Sequence, residues 1–272
     1  MTITLPDQIT ELQATIVHAR QVLSELRMDP KKRFLHTALA GYLWGVIAIG
    51  ETVVPLLQTR RAQGAEPLKR YLHESQLDTL FLIAHDADDR YAARSMLSTL
   101  HDSRKLLEDY DKVVAAHPEA AIPELKPEYL ESFGVPLERQ AEELDGQSAE
   151  DGGSPDVFSR ALVFMRTRRY WHWSGFNRQQ MIDDLVACRA LTGPSALMAV
   201  SLTAIYNSSA HASPSWPHIH FPDPAAGPVF DDPADAQDRD LIQLSIAAVQ
   251  TISQIAERLA AYFGGNGGLT TA

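Results

Sequence analysis

The chain has one cysteine, Cys188, in 272 residues. No intrachain disulfide can form, which excludes a disulfide-stapled secreted scaffold. Positive charge is also scarce: 24 Lys and Arg stand against 35 Asp and Glu, giving a formal charge of −11 and a pI of 5.3. A duplex-DNA binder needs cations against phosphate, so this balance argues against one. There is no glycine-rich phosphate loop, nucleophile elbow, HExxH pair or kinase motif set, and the common enzyme classes that carry these are not indicated. Strand alternation and internal repeats are lacking too. The N-terminal MTITLPDQITEL has no basic stretch leading into an apolar core. No secretory signal is therefore expected, and the setting read from these absences is cytoplasmic.

What is present suits a globule with a substantial core, at 45% hydrophobic and 22% charged residues. The periodicity predicts an all-α bundle of seven to eight main helices. A first helix over Pro6–Arg27 carries Ile9, Leu12, Ile16, Ala19, Leu23 and Leu26 on one stripe. Such a stripe suits a long partner helix in the same chain or in a second copy, so a homodimer is expected. The second helix contains Ala38–Leu57, twenty residues with Glu51 as the single charge. That run is long enough to span a bilayer. Glu51, Thr52 and Pro55 in its last third favour a central helix buried on most sides, with no membrane expected.

The third helix, Pro67–His85, is the most informative. Leu77, Leu80, Phe81 and Ala84 form an apolar stripe, and one turn back the same face carries Arg70, His73 and Glu74. Ionised groups are not buried unpaired, and Arg70 and Glu74 are spaced to pair. Residues 117–156 differ in kind, with five prolines, eleven acids and two bases. The segment reads as an acidic, irregular, proline-rich connection, with short helices around Lys126–Phe133 and Pro136–Leu144 and a flexible loop at Gln147–Ser154. The expected organisation is an N-terminal helical half (1–116), this connection (117–156), a C-terminal half (157–264) packing on the first to form one domain, and a mobile tail (265–272). A Pro-rich loop, Ala212–Pro233, precedes the last helix, Ala234–Phe263.

Several clusters could carry chemistry. The run Arg168–Trp173 has the materials of a stacking surface, although two tryptophans anchoring a loop is the plainer reading. His218, His220 and Asp223, near His211, are weak metal candidates. Zinc accepts such ligands, but the spacing is no recognised signature. Arg94 and His101 are spaced like an Arg-x(4–6)-His nuclease pair, a pattern that two helical turns also produce by chance. No cofactor is indicated.

Three further motifs, Arg70-x-x-x-Glu74, Trp173-Ser174-Gly175 and Tyr206-x(4)-His211-x-Ser213, occur in order between Pro67 and Phe263. In these the chain resembles a widespread prokaryotic family of helical proteins classed as a domain of unknown function. The resemblance implies an all-helical fold and a bacterial cytosolic setting; it brings no activity. It also singles out Arg70, Trp173, Tyr206, Asn207 and Ser213 as candidate ligand-binding residues, with Glu74 and His211 as candidate catalytic groups. Two functions remain open. One is a helical protein binding a protein partner or small ligand in a regulatory, stress or defence context. The other is a hydrolase acting on RNA or a nucleotide, with His211 as acid–base group and Arg70 on phosphate.

Overall fold

The computed structural model describes residues 4–61, 65–116, 135–167, 172–210, 219–220, 229–230 and 233–264. Among these are nine α-helices: α1 Leu5–Glu25, α2 Arg33–Thr59, α3 Ala65–Ala84, α4 Asp89–Ala116, α5 Leu137–Glu150, α6 Val157–Thr167, α7 Arg178–Ala187, α8 Gly193–Ala210 and α9 Pro233–Gly264. One 3₁₀ turn, Pro30–Lys32, leads into α2. The described sheet is a single antiparallel pair, β1 Ile219–His220 with β2 Val229–Phe230. The chain is all-α, with one helix more than the periodicity suggested.

The helices assemble into two compact units that interleave in sequence instead of forming sequential halves. The first comprises residues 1–27, 39–84 and 178–272; the second comprises 28–38 and 85–177. In the first unit α1 and α3 both pack on α9, while α3 also meets α7 and α8. Thr4 caps α1 by accepting from the Asp7 N–H. The buried face of α1 is Leu5, Gln8, Leu12, Ile16, Ala19 and Val22. It is rotated slightly from the expected stripe, and α9 covers it within the chain. Leu241, Leu244, Ala248, Ile252, Ile255 and Leu259 form the matching face of α9.

The second helix is less enclosed than expected. Leu39, Leu43, Val46, Gly50, Val53 and Leu57 are buried at alternating four- and three-residue spacings, whereas Trp44 is 65% exposed and Glu51, Thr52 and Pro55 are exposed. It is the one described helix long and apolar enough to cross a membrane. Gly50 sits where α2 meets both α1 and α9: a Cβ there would lie 2.7 Å from Ile252 Cδ1 and 3.1 Å from Ile16 Cγ1. Both α2 and α7 end on a left-handed arginine, Arg60 at φ 51° and Arg189 at φ 61°. In each case the following N–H returns to a carbonyl five residues back, Arg61 to Leu56 and Ala190 to Leu185.

In the second unit Phe158, Ala161 and Leu162 of α6 pack with Ala93 and Leu97 of α4 and with Leu137 and Ala141 of α5. Phe34 meets Phe158 edge-on, with ring centroids 4.6 Å apart. The short helix expected at Lys126–Phe133 lies outside the described residues. The expected flexible loop at Gln147–Ser154 is instead the last turn of α5 and a tight turn beyond it. The order is imposed from outside the segment. Buried Asp145 accepts from the Phe158 N–H at 2.7 Å, the Ser159 N–H at 3.0 Å and the Ser159 hydroxyl at 2.6 Å. One carboxylate thus caps the orphan donors of α6 and ties α5 to it.

Candidate functional site

The Arg70–Glu74 pair exists, with Nε to Oε1 at 3.0 Å; it is half-exposed and joins a larger ion array in the first unit that deepens towards buried Asp78. Glu74 also faces Arg178 of α7 at 3.6 Å. Arg178 Nη1 donates to Asp78 Oδ1 at 2.6 Å, and the Tyr42 hydroxyl donates to Asp78 Oδ2 at 3.1 Å. Glu74 and Asp78 lie on one face of α3 because they are four residues apart. Burial works against the charge of Arg178, but Asp78 and Glu74 outweigh it and hold the guanidinium above its ordinary value. Two acids and two guanidiniums thereby compensate one another, which matters most for Asp78 and Arg178, the least exposed of the four.

His73 lies beside this array. Its Nε2 is 3.0 Å from the Thr203 hydroxyl of α8. Burial lowers the pKa of the ring and the Arg178 guanidinium lowers it further; Glu74, the Ala199 carbonyl and Asp78 oppose this only in part, leaving a value of about 4. His73 is therefore neutral at physiological pH and serves as a hydrogen-bonding link between α3 and α8.

The Trp-Ser-Gly turn has a different character. Trp173 is 5% exposed, so the predicted ligand-stacking indole is a buried anchor of the second unit. Gly175 has φ 87°, and a Cβ there would stand 2.9 Å from Phe164 Cζ, so both conformation and space require glycine. Arg94 lies over the Phe164 ring at 3.6 Å and donates to the Ser174 carbonyl at 3.5 Å. Ser174 accepts from the Phe176 N–H at 3.1 Å and stands 2.6 Å from His172 Nδ1. These contacts engage Arg94, the first member of the suspected nuclease pair, in holding the turn.

Tyr206 and Asn207 belong to α8 and His220 to β1, but their side chains lie outside the described set. His211, Ser213, His218 and Asp223 lie wholly outside the described residues. Among the described residues no cluster of His, Cys, Asp and Glu could hold a metal ion. Arg70 and Glu74 belong to the first unit and Trp173 to the second.

A second feature of the first unit had little sequence signal. A cleft of about 300 Å³ opens between α3, the α7–α8 turn and α9. Its apolar lining is Leu80, Leu191 and Ile255, and Gln76 donates to Gln254 across one wall. Thr192 and Ser195 line it at the start of α8, with the Thr192 hydroxyl donating to Ser195 at 3.3 Å. Glu257 and Arg258 complete it, both exposed and neither paired among the described residues. The cleft and the ion array occupy nearly opposite sides of α3, since Glu74 and Gln76 differ by about 200° around the axis. The gap between two polar stretches at Thr192-Gly193-Pro194-Ser195 was the one local hint, because a helix stop followed by a start leaves a concave corner. Compared with known proteins, the chain matches no family model, no curated protein and no solved structure.

Proposed function

We propose that this chain is a small-ligand-binding helical protein with a regulatory role in a bacterial cytosol. The carrying observation is the cleft of about 300 Å³, whose exposed lining is more polar than apolar: amide, hydroxyl and charged groups stand around the edges of Leu80, Leu191 and Ile255. Small-molecule sites run from ~300 to ~1,000 Å³ with mostly apolar walls and a few placed polar groups. The size therefore selects a small ligand. Of the candidate catalytic groups only Glu74 is described, and it is engaged in ion pairs with two guanidiniums; His211, the acid–base candidate of the hydrolase reading, lies outside the described residues. Neutral His73 is hydrogen-bonded between helices.

The test is methyl NMR on the full chain against a set of polar metabolites. The reading expects at least one compound to shift the Leu80, Leu191 and Ile255 methyl signals together, while Leu97 and Leu162 of the second unit stay fixed. Binding that leaves the three cleft methyls unmoved, or no binding at all, refutes it.

A further inference from the structure

The part of α2 that lies in the first unit is more apolar than the fold around it uses. The helix carries no Asp, Glu, Lys or Arg between Arg33 and Glu51. Its inward stripe, from Leu39 to Leu57, is buried, but its outward stripe is uncharged as well. Gly41, Trp44, Ala48, Thr52 and Pro55 recur there every three or four residues, and all but half-buried Ala48 are exposed. A helix on the surface of a monomer normally turns charged side chains to water. The uncharged surface continues beyond α2. Tyr71 of α3, 44% exposed, lays its hydroxyl against Gly45, where a Cβ would stand 2.7 Å from it. Val17 of α1, 67% exposed, lies one turn from Arg20, which pairs with Glu51. We infer that two copies of the chain meet on this face, with their α2 helices antiparallel about Ala48.

Charge, shape and area all fit a second copy. Arg20 and Glu51 form an exposed pair on the rim of the face, one of each sign. α1 runs back along α2 with Ile16 against Gly50, so Arg20, one turn further on, stands near the level of Val46. Antiparallel pairing about Ala48 carries that level to the partner's Gly50, beside the partner's Glu51. Each copy thus offers the other the opposite charge at the same place, as a self-complementary surface must. Trp44 and Thr52 lie four residues to either side of Ala48. Each Trp44 therefore faces the partner's Thr52, large against small, as interdigitation requires. From Gly41 to Pro55 the helix runs about 22 Å, and α1, α2 and α3 side by side are about 25–30 Å wide. Such a face covers ~600 Å² per copy and ~1,200 Å² for the pair, the lower end of the ~1,200–2,000 Å² of stable interfaces. A bilayer fits less well. α2 is long enough to span one, but its inward side is committed to Ile16 and Ile252. Lying flat on an anionic membrane calls for a basic rim, and here the rim is one acid and one base in a chain of formal charge −11.

Sedimentation velocity of the full chain across the micromolar range tests this, and a monomer–dimer equilibrium is expected. Trp44→Glu should weaken dimerisation by about tenfold or more. Leu197→Glu, at an equally exposed apolar residue of α8, should leave it unchanged. Both positions are exposed, so the variants should fold, and circular dichroism checks this. Arg20→Glu and Glu51→Arg should each weaken self-association a few-fold. Mixing those two variants should recover it, because the mixed pair restores opposite charges across the contact, which a pairing confined to one chain would not do. A chain that stays monomeric throughout overturns the inference. So does a dimer that Trp44→Glu leaves intact, or a mixture that associates no better than its components. Flotation with phosphatidylcholine–phosphatidylglycerol vesicles tests the bilayer: a monomer that floats, and ceases to float with Trp44→Glu, gives the face to a membrane and also overturns the inference.

Discussion

His73 makes the stability of the first unit depend on pH in a direction that the structure fixes. In the unfolded chain its imidazole protonates near 6.5; in the fold the value is about 4. Between those two values the unfolded chain binds the proton and the native chain does not. Stability therefore rises with pH across this window and is lost as pH falls through it. The contribution is fully present above pH 6.5. A displacement of about 2.5, at 1.36 kcal/mol for each pH unit, corresponds to about 3 kcal/mol lost by pH 4. The residue is buried, at 6% exposure, so solvent screening removes little of this. The assay is urea unfolding followed by circular dichroism at pH 4 to 7.5, comparing the parent chain with His73→Gln. Glutamine can still hydrogen-bond Thr203 and does not titrate. Because burial lowers the pKa of His36 in the second unit as well, the informative quantity is the difference between the two proteins. That difference should shrink or reverse as pH falls from 6.5 to 4. A difference that stays constant over the window refutes the argument.

Substitutions at four positions test packing and capping. Gly41→Ala fills open space on an exposed helical face and should stabilise by up to about 1 kcal/mol. Gly50→Ala gains the same propensity but displaces Ile252 and Ile16, at about 1–3 kcal/mol; equal urea midpoints for the two variants would contradict the close approach. Ser245 is fully buried, and its hydroxyl has no hydrogen-bond partner among the described residues. Ser245→Ala should therefore raise stability by about 1 kcal/mol, read by thermal melting. Asp145→Ala strips the caps from α6 and should cost about 2–4 kcal/mol, with Asp145→Asn recovering part, read as the urea midpoint of the second unit.

The helices were legible wherever the information is local. The faces of α3 and α9 recur every three to four residues, and burial follows the predicted positions, as at Leu77, Leu80 and Phe81 or Ile252 and Ile255. The α5 helix was legible only in its first part, Pro136–Leu144. Its C-terminal half, with Gly146 followed by polar residues, resembles a loop, and what orders it is a carboxylate that accepts bonds thirteen and fourteen residues away. The interleaved units were hidden for a related reason: periodicity shows which face of a helix is buried but not which helix covers it.

The polar residues divide along the same line. Arg70 and Glu74 stood out because they interrupt an apolar stripe, and their pairing follows from i, i+4 spacing. Arg178 and Tyr42 complete the array from 100 and 36 residues away from Asp78, so no local pattern could announce them. An ion that interrupts an apolar stripe is conspicuous because it is headed for burial, and a buried ion must be neutralised by partners. Glu74 itself stays 31% exposed, and what engages it is its two ion pairs, to Arg70 and Arg178; the ion of this array that burial commits is Asp78. Glu257 and Arg258 are the reverse case. They look like ordinary solvated residues on the polar side of a long amphipathic helix. Their charges stay available because nothing in the described fold needs them. In a small helical protein without a metal-binding or nucleophile motif, a cleft lined by such ordinary polar residues is the better guide to a binding site than a polar residue out of place.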